Sequence, residues 1–284
     1  MNLIVMPGSK KEIKKCYELV DGYILSLENL SVNVNFSYKE KELFNEIEFL
    51  KSKNKKVYVS LNKNMHNDDI KFLTEVLFKL EESNIDGVFF YDVSLVNIKN
   101  RNNLKINLVW NQEHMTTNYM TSEFWYQNGV SSTMLSYEIT KDEINQISKS
   151  SSSNIFVPIF GYQPIFTSKR MLLTYYKEEF DIIDDSKVNY IHKEGSDYPI
   201  IEENDTFTVF TAKMFNGLPF VNELVSDYFV FNSIFLNSDE VHEILIKIKK
   251  EGIKSASSMI DEKYNTDTGF LNKKTIYKVK KDEE

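Results

Sequence analysis

The sequence predicts a (β/α)8 barrel of the TIM type, and three observations lead to this fold class. Eight short apolar or β-branched runs recur along the 284 residues, segments with helical spacing separate them, and no glycine-rich phosphate loop follows any run. Runs that are apolar on both faces and alternate with helices are typical of parallel strands. A doubly wound open sheet is the alternative, and that fold commonly carries a glycine-rich loop after its first strand.

The predicted elements follow one another in a regular order. The strands are predicted at residues 3–7, 22–27, 56–62, 87–93, 106–111, 131–136, 155–160 and 228–235. One of the helices is predicted to begin at a capping box formed by Thr140 and Glu143. Another is predicted to have Ser238 as its N-cap and Gly252 as its C-cap.

A long segment separates the seventh predicted strand from the eighth. Residues 168–226 include a stretch in which polar and apolar residues alternate, as they do in antiparallel strands, with turn residues at 194–196 and 204–205. We therefore expect a small β-rich insertion at this place, within a single barrel domain that spans residues 1–284.

The amino-acid composition limits the cellular compartment and the binding partners that we expect. Lys and Arg number 34 against 42 Asp and Glu, so the net charge of −8 gives no overall attraction for nucleic acid, although a local basic patch could still bind RNA. No apolar run approaches the roughly 20 residues of a membrane span. The N-terminal segment reads as a first strand and not as a signal peptide. We expect a cytoplasmic protein that has no membrane contact.

Cys16 is the only cysteine in the chain. A single cysteine excludes an internal disulfide and any site that needs four thiolates from one chain, and it fits a reducing compartment. Its position on the first predicted helix favours a buried core thiol over a catalytic nucleophile. The four histidines are far apart in the sequence, so no metal site is expected.

Candidate functional residues are selected by their position, because the active site of such a barrel lies at the C-terminal ends of the strands. The side chains selected there are Asn62, Asp92, Trp110, Gln112, Asn118, Glu138, Tyr162, Gln163, Ser168, Lys169 and Arg170. Structural alternatives exist for them: Asp92 as a cap of the next turn, Glu138 in a rim ion pair, and Trp110 or Tyr162 as packing residues.

The most specific chemical expectation concerns the pair Lys169-Arg170. It follows the seventh strand, where barrel loops often hold anionic groups. Arginine offers a planar fork for a carboxylate or phosphate and lysine a compact charge, so we expect an anion site; the alternative is a solvated basic turn. Ser168 lacks a nucleophile-elbow context and an assignable His/Asp pair, so serine hydrolysis is weakly supported.

The other candidates receive roles from their chemistry. Glu138 and Asp92 are expected to orient polar groups or to act as a catalytic base. The selected amide side chains are expected to form hydrogen bonds with a substrate. Trp110 or Tyr162 would stack on a base, an interaction worth roughly 1–3 kcal/mol per base in proteins that bind single strands.

Several motifs, in a fixed order, resemble one known family. Residues 55–96 contain a strand that ends in Asn62, a helix, and a strand that opens with Asp86-Gly87 and ends in Asp92. Counterparts of the next family motif are Gln112, Asn118, Gly129, Ser136 and Glu138. Residues 161–176 and 264–280 hold two further similar segments. The order of these motifs, which cover most of the chain, resembles the collagenase-like peptidase family U32.

The resemblance implies a barrel protein, and its short bacterial form implies a role in tRNA wobble-uridine 5-hydroxylation together with a paralogue of the same family. The family's historical label implies a peptidase instead, and a non-catalytic scaffold for a catalytic paralogue is a third alternative. Many hydroxylating members hold an iron–sulfur cluster through four cysteines; with Cys16 alone, no such cluster is expected here. No cofactor is assigned, and a small carboxylate co-substrate would suit the basic pair. Tyr137 stands where the family commonly has arginine, so the resemblance implies one positive group fewer in the pocket. An anion site there would depend more on Lys169 and Arg170.

Overall fold

Parallel strands and helices alternate along the chain. The structure, a computed structural model, describes residues 1–112 and 114–273; the tail from Lys278, which the sequence predicts to be frayed, lies outside them. The strands are β1 (Leu3–Met6), β2 (Gly22–Ser26), β3 (Lys56–Leu61), β4 (Gly87–Phe90), β5 (Leu108–Trp110), β6 (Ser132–Met134), β7 (Asn154–Gly161), β8 (Pro164–Ser168), β9 (Asn189–Lys193), β10 (Ser196–Glu203), β11 (Thr206–Phe210), β12 (Met214–Asn216), β13 (Tyr228–Asn232) and β14 (Thr266–Asp267).

The α-helices are α1 (Lys10–Cys16), α2 (Glu40–Ser52), α3 (Asp69–Glu82), α4 (Ser94–Asn102), α5 (Tyr119–Gln127), α6 (Lys141–Ser150), α7 (Leu172–Glu179), α8 (Ser238–Glu251) and α9 (Ile253–Lys263). Short 3-10 helices cover Tyr17–Leu19 and Leu218–Glu223. Within the described ranges, no helix combines the length and the apolar character that crossing a membrane requires.

Eight of the strands close into a barrel. Strands β1 to β7 pair in parallel in chain order, and β13 pairs in parallel with both β7 and β1. Phe229 of β13 lies opposite Leu3 on one side and Val157 on the other, so the closing strand is bonded along both edges. The predicted (β/α)8 barrel is therefore confirmed, and the open-sheet alternative is wrong.

Some element ends differ from the prediction by a few residues. The third barrel strand ends at Leu61 instead of Asn62, whose side chain bonds to the backbone of Val32. The eighth ends at Asn232, its last paired residue, where Oδ1 accepts from the Ile234 N–H. The capping box of Thr140 and Glu143 is confirmed, as is Gly252 at the end of α8. The Ser238 N-cap is wrong.

Asn237 caps α8 in its place. Its Oδ1 accepts hydrogen bonds from the backbone N–H groups of Asp239 and Glu240, and the Glu240 carboxylate accepts from the Asn237 N–H in return. The carboxamide of Asn237 accepts from two of the four free N–H groups at the start of the helix, and Ser238 is the first helical residue.

The barrel interior is filled by one apolar cluster. Its buried members are Ile4, Ile24, Tyr58, Phe89, Val109, Phe156 and Val230. Phe89 and Phe156 meet edge to face, with ring centroids 5.1 Å apart. A larger apolar cluster fills the space between the strands and the surrounding helices. The strands are therefore covered on both faces, which explains their continuous apolar runs.

A four-stranded antiparallel sheet lies between β7 and β13, in the order β8-β11-β10-β9, and we call residues 164–210 the four-stranded sheet. Its two-residue turns fall at 194–195 and 204–205, where φ is positive at every residue, as in type I′ hairpins. The predicted β-rich insertion is confirmed, with its first strand beginning at Pro164. One face packs on the barrel through Ile201 and Phe210, and α7 covers part of the other face through Leu173.

Candidate functional site at the barrel mouth

The C-terminal ends of the barrel strands surround a small cavity, which we call the mouth cavity. Its volume is about 50 Å³, and its polar lining consists of Asn33, Ser60, Asn62, Asn111, Gln163 and Asn232. Core residues such as Ile24, Phe89 and Val230 provide apolar walls. The polar side chains are all hydroxyl or carboxamide groups, so the mouth cavity offers hydrogen bonds without a formal charge.

Asn62 and Gln163 are the predicted site residues that reach the mouth cavity. Asn62 is fixed by the loop after β2, since its Oδ1 accepts from the Val32 N–H at 2.9 Å and its Nδ2 donates to the Val32 carbonyl at 3.0 Å. Gln163 Nε2 donates to the carbonyl of Gly161 at 3.2 Å. These bonds to backbone hold both carboxamides in place, so the two residues form rigid parts of the cavity wall.

Ser60 places a hydroxyl without a hydrogen-bond partner among the described residues in the wall of the mouth cavity. The residue lies on β3 and is 1% exposed. Leaving a buried hydroxyl unpaired costs about 1–3 kcal/mol. A polar atom that enters the cavity and bonds to Ser60 would recover part of this free energy.

Four polar residues of the mouth cavity are absent from the site residues selected in the sequence: Asn33, Ser60, Asn111 and Asn232. Asn232 ends the eighth barrel strand, so the rule that selected Asn62 would also have selected it. Asn33 lies in the loop after β2 and has a positive φ of 63°. Its only sequence signal is an asparagine, which tolerates that backbone, and the sequence does not show that this loop turns back over the mouth.

The two predicted catalytic carboxylates lie outside the mouth cavity, and their oxygens have different partners. Asp92 accepts from the backbone N–H of Met65 at 3.0 Å and from that of Ser94 at 2.8 Å, so it joins the loop after β3 to the start of α4. Glu138 accepts from the Tyr137 hydroxyl at 3.2 Å and lies 3.5 Å from Nδ1 of His114. Asp92 therefore orients backbone, while the half-exposed Glu138 remains accessible to solvent or a ligand.

The side chains of the two basic residues after β8 lie in different surroundings. Lys169 Nζ donates to the carbonyl of Asn64 at 2.7 Å. Burial lowers the pKa of Lys169 and nearby Lys63 lowers it further, while neighbouring carboxylates oppose both effects. Arg170 is exposed, and its backbone N–H donates to Ser168 Oγ at 3.1 Å. The structure therefore does not gather Lys169 and Arg170 around one common point, and Arg170 is the one whose side chain is exposed.

The remaining predicted residues have mainly packing or capping contacts. Trp110 is buried against α5, stacked on Trp125 at 4.1 Å between ring centroids, so it packs the layer between strand and helix instead of facing the mouth. Asn118 is the N-cap of α5 and accepts from the Thr121 N–H at 3.0 Å. Gln112 is half-buried, and its Oε1 has no partner among the described residues.

Tyr162 lies next to the mouth in a second, larger cavity. It packs edge to face on Phe235 at 5.4 Å. The cavity, of about 370 Å³, lies between the four-stranded sheet and the end of the barrel and is also lined by Tyr190, Tyr264 and Glu240. Tyr162 is therefore half-buried in a packing position and lines this second cavity instead of the mouth cavity.

Cys16 is the one thiol that could ligate an iron–sulfur cluster. It is the last residue of α1 and is fully buried in the core. Burial raises the pKa of the Cys16 thiol to about 12, and Glu12 contributes in the same direction. Such a cluster needs several thiolate ligands, and the whole chain has this one thiol, so the residues present do not fit the group.

The order of motifs along this barrel is matched by a known family. Residues 20–189, more than half of the chain, match the family described as Peptidase family U32. The chain belongs to peptidase family U32. The matched segment begins just before β2 and ends at β9, so it contains Ser60, Asn62, Asn111 and Gln163 of the mouth cavity.

Two curated relatives of the chain come from Bacillus subtilis. The chain is 22% identical to "tRNA hydroxylation protein P2", over 97% of this chain and 98% of that protein. It is 24% identical to "tRNA hydroxylation protein P1", over 47% of this chain and 32% of that protein. P2 is thus similar from end to end, whereas the chain matches about a third of the length of P1.

A solved structure described as a U32 peptidase has the same fold. It superimposes with a TM-score of 0.53 over 81% of this chain and 92% of that chain, at 12% sequence identity. At this identity the likeness concerns the architecture of the U32 barrel and not its substrate.

Proposed function

We propose that this U32 protein takes part in tRNA hydroxylation and acts together with a second protein of the family. The supporting observation is the end-to-end similarity to tRNA hydroxylation protein P2, which includes the four-stranded sheet as well as the barrel. The presence of P1 and P2 in one organism supports a paralogous partner for this chain. The position on the tRNA is the wobble uridine, as the sequence motifs imply.

The chemistry of the mouth cavity supports a nucleobase as the group that reaches it. Hydroxyl and carboxamide side chains supply both donors and acceptors, as the edge of a nucleobase does. A phosphate or carboxylate would need a compensating positive charge at the same depth. The six polar groups of the lining carry none, so an anionic part of the substrate stays outside the cavity.

Arg170 is the proposed contact for such an anionic part. It is exposed on the segment between β8 and α7, and its guanidinium suits a phosphate of the tRNA backbone or a small carboxylate co-substrate. Glu138, with His114 beside it, is the proposed group that moves a proton. Lys169 and Asp92 are proposed to position the loops around the mouth through their bonds to Asn64 and Met65.

A peptidase role receives no support from a specific contact. Ser168 Oγ accepts from the Arg170 N–H, and no His/Asp pair lies beside it among the contacts of the described residues. The buried Cys16 is not a nucleophile, because burial raises its pKa to about 12.

Nucleoside mass spectrometry on tRNA from a deletion strain tests the proposal. Loss of the hydroxylated nucleoside, restored by the wild-type gene, is the expected result. Arg170→Ala should restore roughly a tenth of it, because a hydrogen bond to a charged group is worth about 1.5–3 kcal/mol. Arg101→Ala is the matched control, since Arg101 is the other arginine of the chain and is also exposed.

Each outcome decides between the alternatives. Full restoration by Arg170→Ala, Ser60→Ala and Glu138→Gln would show that this chain is a scaffold for a catalytic paralogue. An unchanged nucleoside profile in the deletion strain would remove tRNA hydroxylation altogether.

A further inference from the structure

The mouth cavity is too small for the group that the proposed function brings to it. Its volume is about 50 Å³. A protein cavity of roughly 150 Å³ is needed to hold a benzene ring, and a pyrimidine base is larger than benzene. The choice of a base as the occupant rests on the proposed function, whereas the size of the mouth cavity is a feature of the fold alone.

The turn between β10 and β11, residues 203–206, contacts the loop after β2, which contributes Asn33 to the wall of the mouth cavity. Asn204 Nδ2 donates to the carbonyl of Ser31 at 2.8 Å. The Val34 N–H donates to the Glu203 carboxylate at 3.4 Å. Thr206 lies with Asn33 and Asn62 around a narrow cleft of about 10 Å³ beside the mouth cavity. The turn therefore rests on the loop after β2, which we call the β2 loop (residues 28–38).

Neighbouring contacts at this end of the four-stranded sheet are also polar. Asp205 lies 3.9 Å from Nζ of the buried Lys63, and Lys169 Nζ donates to the carbonyl of Asn64. Lys187 Nζ donates to the carbonyl of Asn35. Hydrogen bonds of this kind contribute about 1 kcal/mol each, because water replaces them when they open.

The other end of the sheet is attached differently. Phe210 is fully buried and packs with Ile201, Ile234 and Phe235 against the end of the barrel. Gly161, at the end of β7, has a φ of 109°, and a Cβ there would lie 2.2 Å from the carbonyl of Asn232, so only glycine allows this departure from the barrel. Apolar packing holds the end of the sheet near Phe210, whereas polar contacts hold the 203–206 turn. The turn can therefore open while the end near Phe210 stays packed.

We propose that the 203–206 turn and the β2 loop form a gate on the side of the mouth cavity that Asn33 lines, and that the contact between them must open before a neutral ring of base size can enter. The closed form excludes such a ring, and the open form exposes Ser60 and the carboxamides to it. The gate acts as a population shift, because the apparent affinity of a base-bearing ligand falls with the fraction of open molecules.

The Asn204→Gly variant tests the gate. Asn204 has a φ of 49°, a backbone that glycine adopts without strain, so the turn is kept while the bond to Ser31 is lost. Glu194→Gly is the matched control: Glu194 has a φ of 52° in the β9–β10 turn of the same sheet and is exposed. Amide hydrogen exchange of the β2 loop and binding of tRNA purified from the deletion strain are measured for both variants and the wild type.

Asn204→Gly should exchange the Val34 amide about fivefold faster and bind the tRNA about fivefold more tightly, as the loss of one hydrogen bond predicts. Glu194→Gly should match the wild type in both. Unchanged exchange at Val34, or faster exchange with weaker tRNA binding, would overturn the gate. Faster exchange in Asn204→Gly without tRNA binding by any of the three proteins would support the motion of the gate. The same result would contradict the proposed function.

Discussion

The barrel and the four-stranded sheet belong to one chain, but their strands are covered to very different degrees. Every residue of β2 and β4 is buried, because the core covers one face and the helices cover the other. In β9, all residues after the first are exposed. The barrel has no free edge, whereas β8 and β9 remain as the two edges of the sheet.

This difference indicates where stability and motion reside. Elements with few buried apolar contacts open locally at a lower free energy than the core strands of the same protein. We therefore expect the barrel to supply a fixed mouth and the sheet to move without unfolding the barrel. Matched substitutions in the two regions test this division.

The largest expected effect is the removal of an aromatic ring from each core. Phe156→Ala should lower the free energy of unfolding by about 3–5 kcal/mol, because Phe156 is fully buried between Tyr58 and Phe89. Phe207→Ala, in the sheet, should cost less in urea unfolding and should accelerate hydrogen exchange within residues 164–210. Equal losses from both variants in one cooperative transition would show that sheet and barrel unfold as a unit.

The next effect concerns a buried carboxyl of the barrel, Glu12 on α1. One oxygen accepts from the Gly8 N–H and the Ser233 hydroxyl, and the other has no partner among the described residues. Burial raises the pKa of Glu12 to about 7, against its hydrogen bonds, which lower it. The folded state therefore binds the proton more tightly than the unfolded chain, so stability is highest below the unfolded pKa and falls as the pH rises towards 7.

Glu12→Gln should remove about 3 kcal/mol of this pH dependence, since each unit of pKa shift corresponds to about 1.4 kcal/mol. Urea unfolding at pH 5 and pH 8 measures it: the wild type should lose more stability than the variant over this interval. The amide oxygen of Gln can still accept from Gly8, so the loop remains supported. Parallel pH profiles for the two proteins would refute the assignment.

The barrel is predictable from the sequence because its strands are apolar on both faces, and such runs are hard to confuse with loops. For the same reason, the sequence does not show on which face of a strand each residue lies. Val109 points into the barrel interior and Trp110 towards α5, and nothing in the pattern of β5 distinguishes the two directions. The rule of strand ends therefore selects Trp110 as a site residue although it packs against Trp125.

The candidate site is predictable where strand ends alone define it, as for Asn62 and Gln163. It is not predictable where a loop returns from a distance, as for Asn33, or where the sheet contacts that loop through Asn204. These contacts join residues far apart in sequence, and each depends on one or two polar side chains that resemble ordinary turn residues. The contact between the 203–206 turn and the β2 loop is for this reason visible in the structure alone.

A smaller effect is expected from the same glycine substitution in both regions. Gly195 lies in the β9–β10 turn with a φ of 74°, and Gly129 lies after α5 with a φ of 82°; a Cβ would meet open space at either position. Alanine should cost about 1 kcal/mol at each, because the backbone conformation and not a clash is unfavourable. Gly129→Ala should lower the urea midpoint, and Gly195→Ala should mainly accelerate exchange in β9 and β10. A reversed pattern would mean that the sheet limits global stability.

The smallest effect is expected at the most exposed apolar side chain of the sheet region. Ile183, which follows α7, is 98% exposed, so Ile183→Ser removes no packing and should change the free energy of unfolding by less than about 0.5 kcal/mol. Ile200→Ser is the matched control, because Ile200 is 4% exposed in β10 and its replacement should cost about 2 kcal/mol or more. Urea unfolding at two protein concentrations checks both. A large, concentration-dependent loss of unfolding free energy in Ile183→Ser would show that another chain covers this face in solution. The sheet would then be less exposed than its comparison with the barrel implies.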